Sequence, residues 1–190
     1  ARGLALARQR IRDWSRALAA GAEAVVITAT GCGAFVRDYG RLFADDPELA
    51  APARRVAAAA KDIGSVLAAE RLPPLQPPAD AGTVALHCPC TLQHALGEAD
   101  TLRTLLEGHG VHLAPVAESI ACCGSAGAYS LLRPALSERI RERKLADLEA
   151  GEPAEIVTAN IGCLHHLAAG TERPVRHWAE LLAERLPAQR

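Results

Sequence analysis

The chain has 190 residues, of which 49% are hydrophobic, 23% charged and only 3% aromatic, with a formal net charge of −1. That length suits one domain, or two small half-domains sharing an aliphatic, helix-rich core. There is no basic stripe, no aromatic platform and no apolar run near the roughly 18 residues a membrane span needs, so nucleic-acid binding and a transmembrane segment are both set aside.

Residues 4–20 carry helical periodicity, with Leu4, Ile11, Trp14 and Leu18 near one face and Gly21 as a stop. The stretch has no N-cap residue, and its arginines fit no secretory signal, so a piece of a longer protein is expected. Residues 24–28 (AVVIT) read as a short buried strand, and 29–33 as a loop carrying Cys32. Helices are expected over 34–43 and 52–70. The proline-rich stretch at 72–78 is the best internal boundary. It divides a first repeat (1–72) from a second (81–190), with a linker over 73–80. Beyond it, 83–87 read as a strand leading to Cys88-Pro89-Cys90, 92–108 as a helix and 111–116 as a strand. Cys122-Cys123-Gly124-Ser125-Ala126-Gly127 follows, then a helix over 128–149 interrupted near Pro134. A strand at 155–159 leads into Asn160-Ile161-Gly162-Cys163, and 175–186 read as a last helix. Alternation of strands and helices implies an α/β fold of parallel βα units.

The two halves resemble each other. AVVITATGC (24–32) matches EIVTANIGC (155–163), RIRDW at Arg10 parallels RIRER at Arg139, and VLAAERLPP at Val66 parallels LLAERLPAQ at Leu181. Such self-similarity points to a duplicated unit of short parallel strands flanked by helices, with cysteines at the C-terminal strand ends. Cys32 is then expected to belong to an incomplete twin site whose other ligands lie upstream of Ala1.

Six cysteines without a secretory signal argue against disulfides. Cys90, Cys122, Cys123 and Cys163 each fall where a strand is expected to give way to a loop, the edge at which parallel α/β sheets bind ligands. Helix N-termini facing the same edge would stabilise thiolates. A single zinc usually takes cysteines two to four residues apart, whereas the adjacent pair Cys122-Cys123 suits a polynuclear iron–sulfur cluster held by four thiolates. Zinc, a redox dithiol and inert thiols remain the other readings. His87, His94, His165 and His166 flank cysteines, with packing or surface roles as the simpler account. Asp38-Tyr39 and Trp178 read as structural, and no catalytic residue is assigned.

Cys90, then Cys122-Cys123-Gly124, then Cys163 resembles the cysteine-rich CCG domain. That domain is shared by the cysteine-rich component of heterodisulfide reductase, its counterpart in anaerobic glycerol-3-phosphate dehydrogenase, the lactate-utilisation iron–sulfur proteins and the glycolate oxidase iron–sulfur subunits. TATGCGAFVRDYG, HCPCTLQHALG, CCGSAGAYSLL and ANIGCLHHLAAGTERPVRHWAELL are most similar to the last of these, over nearly the whole chain. The family pattern closes on Cys-x-x-Cys, where this chain has Asn160 in place of the first cysteine.

The heterodisulfide reductase type holds a noncubane cluster on five cysteines. Four in the second half here imply an ordinary [4Fe-4S] cluster on Cys90, Cys122, Cys123 and Cys163. Cys32 and Cys88 are additional candidate ligands, with Gly124, Gly127, Asn160 and Gly162 around the cluster. The resemblance further implies an N-terminal ferredoxin-like domain in the full-length protein. It implies FAD-containing partner subunits that oxidise glycolate to glyoxylate, and a relay of electrons to the quinone pool. The place would be the cytoplasm, free or peripheral at the inner face of the cell membrane. The alternatives are a heterodisulfide-reductase-like or lactate/glycerol-3-phosphate dehydrogenase iron–sulfur module, and a cluster-free docking module.

Overall fold

The computed structural model describes residues 2–76 and 82–187, so residues 77–80 of the expected linker lie outside the described residues. The first half opens with α1 (Arg2–Ala19), which buries Ala7, Ile11 and Ser15 at helical spacing and ends before Gly21, whose φ is +105°. Next come β1 (Val25–Ile27), α2 (Thr30–Arg37), the single turn α3 (Tyr39–Leu42), α4 (Ala50–Ala59), β2 (Ala60–Asp62) and α5 (Ile63–Ala69). The apolar face of α1 packs on Val36, Phe43, Ala53 and Val56. Tyr39 is the hub of this cluster, stacked with Trp14 and edge-on to Phe35 and Phe43, which is the structural role expected of it.

The second half contains β3 (Val84–His87), a π-helical turn over Thr91–Leu96, and α6 (Ala99–Gly108). It continues with α7 (Tyr129–Leu132), α8 (Pro134–Glu149), β4 (Glu155–Thr158), α9 (Ile161–Ala168), β5 (Val175–His177) and α10 (Trp178–Ala183). The architecture is α/β, with two small parallel sheets, β1-β2 and β3-β4-β5, flanked by helices. Val84, Leu86, Leu102, Leu106, Val157 and the fully buried Trp178 form the main core. Ala34, Ile63 and Leu67 of the first half, and Leu72 and Leu75 of the proline-rich stretch, pack against that core. Arg37 of α2 ties the halves further, pairing with Glu98 and donating to the carbonyls of Ala60 and Leu96.

Several boundaries differ from the sequence expectation. The loop at 29–33 is the start of α2, so Cys32 lies in a helical first turn. The helix expected over 52–70 is broken by β2, because Ala60 turns extended and pairs with β1. The helix expected over 175–186 begins as β5. The one expected over 92–108 is split by Gly97 at φ +71°. Residues 111–116 make only an isolated bridge, Val84 to Leu113. The His112 carbonyl and Ala114 N–H bond Val84, and Pro115 has no N–H to extend the ladder. β1 is only half-buried.

The segments matched between the two halves share a strand register. The alignment that sets Val25 against Ile156 and Val66 against Leu181 also sets Ala60 against Val175, and both Val25–Ala60 and Ile156–Val175 are register partners. The caps repeat as well. Asp62 accepts from the Gly64 N–H at 2.8 Å, and its counterpart His177 accepts from the Ala179 N–H at 3.2 Å. The halves differ at one edge. β4 has neighbours on both sides, whereas β1 pairs with β2 alone among the described residues. Val26 is accordingly 48% exposed, while its counterpart Val157 is fully buried.

His177 works as a neutral ring. Its Nδ1 accepts from Ala179 while its Nε2–H donates to the Thr28 carbonyl at 2.8 Å, and only the uncharged imidazole can do both. Burial outweighs the Thr28 contact and holds its pKa below the ordinary value. Between the folded and unfolded pKa values the unfolded chain binds the extra proton. The contribution is therefore complete above the unfolded value of about 6.5 and is lost as pH falls through the folded one. Urea unfolding from pH 7.5 down to 5 should show wild type losing more stability than His177→Gln; equal losses would remove this residue from the account.

Candidate metal centre

The carboxyl ends of β3 and β4 open onto one cavity of about 330 Å³. Its walls come from both halves. Gly31 and Cys32 belong to α2, and His87, Cys90 and Thr91 to the end of β3 and the turn after it. Cys122, Cys123, Ser125, Ala126 and Gly127 come from one loop, and Asn160, Gly162 and Cys163 from the start of α9.

Each wall is fixed by a local device. β3 is buried along its whole length, and strand alternation continues past it. His87 faces the cavity while the next residue, Cys88, turns into the aliphatic core beside Leu92 and Leu96. Gln93 reaches back to the Cys88 carbonyl at 2.8 Å and across to the Ser119 carbonyl at 2.9 Å, joining the Cys90 turn to the loop before Cys122. That loop is clamped from α8. Buried Lys144 donates to the Glu118 carbonyl at 2.6 Å and pairs with Asp147, which accepts from the Ala117 and Glu118 N–H groups. Gly124, at φ +93°, turns the chain, and Ser137 of α8 donates to its carbonyl at 2.8 Å. Gly124 itself does not line the cavity. The two halves meet at helix starts. Asn160 Oδ1 accepts from the Gly31 N–H, and the Thr30 hydroxyl lies 2.8 Å from that of Thr91.

The structure brings Cys90, Cys122, Cys123 and Cys163 together. Thiol–thiol contacts run from Cys90 to Cys122, from Cys122 to Cys123 and from Cys123 to Cys163. The adjacent pair splits, with Cys122 half-exposed toward Cys90 and Cys123 buried toward Cys163. His87, Cys123 and Cys163 form the deep wall, with ligand atoms all within 4.8 Å of one another. Cys32, expected in a separate twin site, lines the same cavity from its exposed side. Cys88 does not line it. Gly127, Asn160 and Gly162 do. His94 and His165 are exposed, and His166 instead lies 3.2 Å from the Ser137 hydroxyl. Thr91 and Gly31 were not legible as site residues, although the repeat already set Gly31 against Gly162.

As free thiols the group is ill at ease. The contact with Cys123, helped by burial, pushes Cys122 far above the ordinary thiol value. For Cys123 the contact with Cys122 pulls down, but Cys163 and burial prevail and push it up to about 12. Burial raises Cys90. Cys163 alone is lowered, by the Cys123 contact and then, against burial, by the Asn160 amide donating to its sulfur at 3.4 Å. A bound metal reverses this balance, because coordinated thiols are deprotonated. Packed sulfurs, a deep histidine and glycines at Gly31 and Gly162 on the cavity wall form a donor set and a space that fit an iron–sulfur cluster.

Residues 84–168 match the family model described as a cysteine-rich domain, CCG. Lactate utilization protein A of Shouchella clausii is 32% identical over 174 residues, covering 86% of this chain and 71% of that protein. The chain belongs to the CCG cysteine-rich domain family. Within the family it is 45% identical to the glycolate oxidase iron-sulfur subunit of Escherichia coli over 185 residues, and 34% identical to the probable glycolate oxidase iron-sulfur subunit of Bacillus subtilis over 191 residues. Those alignments take in 97% and 96% of this chain but 45% and 42% of the relatives, so the chain spans less than half of their length.

Proposed function

We propose that this chain is the cluster-bearing part of an iron–sulfur subunit of an oxidoreductase, and that Cys90, Cys122, Cys123 and Cys163 hold a [4Fe-4S] cluster. The observation that carries the reading is the unbroken run of four thiols in one cavity. A bound cluster supplies one-electron transfer. The protein's own part is to hold four thiolates, to direct the N-termini of α2 and α9 at their charge, and to place the Asn160 amide against the Cys163 sulfur. Similarity to proteins named as glycolate oxidase iron-sulfur subunits supports a place between flavin-containing subunits that oxidise glycolate to glyoxylate and the quinone pool. The setting is cytoplasmic or peripheral at the inner membrane face. No helix among the described residues is long and apolar enough to cross a membrane.

The test is iron and sulfide analysis of anaerobically prepared protein, followed by EPR of its reduced form. About four irons and four sulfides per chain with a cubane spectrum support the reading. Iron-free protein after anaerobic reconstitution overturns it in favour of a docking module. One observation favours a second reading. Cys32 brings the cysteines lining the cavity to five, the number that a noncubane cluster of the heterodisulfide reductase type uses. A noncubane spectrum that Cys32→Ser abolishes would select it.

A further inference from the structure

His87 stands apart from the other histidines of the chain. It is 1% exposed, at the last position of β3, in register with Thr158 of β4. Its Nδ1 lies 2.9 Å from the Thr158 hydroxyl, and its Nε2 is buried without any partner. Leaving a ring nitrogen unpaired in the interior is a cost that a leucine at this position would not incur.

The hydrogen-bond accounting fixes the tautomer. Thr158 is fully buried, and its hydroxyl contacts no polar side-chain group other than His87 among the described residues. If the Thr158 O–H donates to Nδ1, the hydroxyl proton is used and the ring proton sits on Nε2. If instead Nδ1–H donated to the hydroxyl, both the threonine proton and the Nε2 lone pair would be stranded. The first arrangement leaves a single group wanting a partner, an N–H on the cavity's deep wall beside the sulfurs of Cys123 and Cys163.

We propose that His87 Nε2–H donates a hydrogen bond to a sulfur of the cluster held in this cavity, and that Thr158 orients the ring for that bond. His87 is thus a positioning residue rather than a ligand, and the inference rests on the cluster assignment above. An N–H aimed at cluster sulfur withdraws negative charge and favours the reduced state, so it raises the reduction potential.

The experiment is an EPR-monitored redox titration of reconstituted wild type, His87→Leu, His87→Gln and Thr158→Val, with iron content measured on each. His87→Leu should keep its iron while the reduced-to-oxidised ratio at fixed potential falls roughly tenfold, equivalent to about 59 mV for one electron. His87→Gln, which retains an N–H donor, should recover part of that loss. Thr158→Val should shift the same way as His87→Leu by a smaller amount, and it keeps the question open to measurement if the leucine variant does not fold. Unchanged potentials in both His87→Leu and Thr158→Val overturn the proposal. So does strong, directly bonded nitrogen coupling in the wild-type spectrum, which would make His87 a ligand. Wild type without iron overturns the cluster reading itself, a result distinct from either.

Discussion

Cys122→Ser and Cys123→Ser should each leave the chain unable to hold iron. The two thiols sit at the middle of the contact run, Cys122 bridging to Cys90 and Cys123 to Cys163, so losing either divides the set. A serine hydroxyl in the same place is a poor partner for iron compared with a thiolate. The loss should exceed the roughly 10–100-fold in affinity that removing a merely supporting group costs. The comparison that gives the result meaning is Cys88→Ala. Cys88 is as buried as Cys163 but faces the core beside Leu92 and Leu96, so this variant should bind iron normally. The measurement is iron per folded chain after anaerobic reconstitution, with folding checked by circular dichroism. Full iron content in both serine variants would refute the site.

Gly124→Ala should destabilise the fold by about 3 kcal/mol and deplete iron with it. Two costs add. A left-handed backbone costs a residue with a side chain roughly 1–2 kcal/mol, and Gly124 sits at φ +93°. An added Cβ would stand 2.5 Å from the Ser137 carbonyl oxygen and 3.1 Å from His166 Nε2. Forcing atoms into a packed site of this kind costs about 1–3 kcal/mol more. The strain falls on the joint between the cysteine loop and α8, since Ser137 also donates to the Gly124 carbonyl. Ser137→Ala, which removes the hydroxyl's bonds to the Gly124 carbonyl and to His166 but adds no clash, should cost only about 1–2 kcal/mol. Denaturant titration of the metal-free chains under reducing conditions separates this effect from any stability the cluster adds. Equal costs for the two variants would show that the glycine's conformation is not what matters.

The glycine of the Cys-Cys-Gly motif was visible in the sequence, but its reason was not, because the clash is with a helix thirteen residues downstream. The same division runs through the fold. β1, β3 and β4 are apolar or β-branched runs, and each was legible. β2 reads Ala60-Lys61-Asp62, residues that favour helix or solvent, and it becomes a strand only because β1 lies alongside. β5, Val175-Arg176-His177, is hidden in the same way. The internal repeat held the missing information, since the matched segments at Val66 and Leu181 each follow one of these hidden strands. Cys32 shows the limit of that signal. The repeat identified its counterpart in Cys163, but it could not reveal that both face one cavity, which depends on how α2 and α9 abut. His87 was visible as a neighbour of cysteines. Its orphaned nitrogen emerges only once Thr158 is known to be its register partner.

The half-paired strand β1 bears on how these molecules meet one another. An unpaired strand edge offers a ready row of backbone donors and acceptors, and soluble proteins usually blunt such edges with lysine, proline or a bulge. Val25-Val26-Ile27 carries none of these. At three residues β1 is itself short, which is one such safeguard, so among the described residues the edge beside the exposed Val26 is a small adhesive line whose effect would be felt first at high concentration.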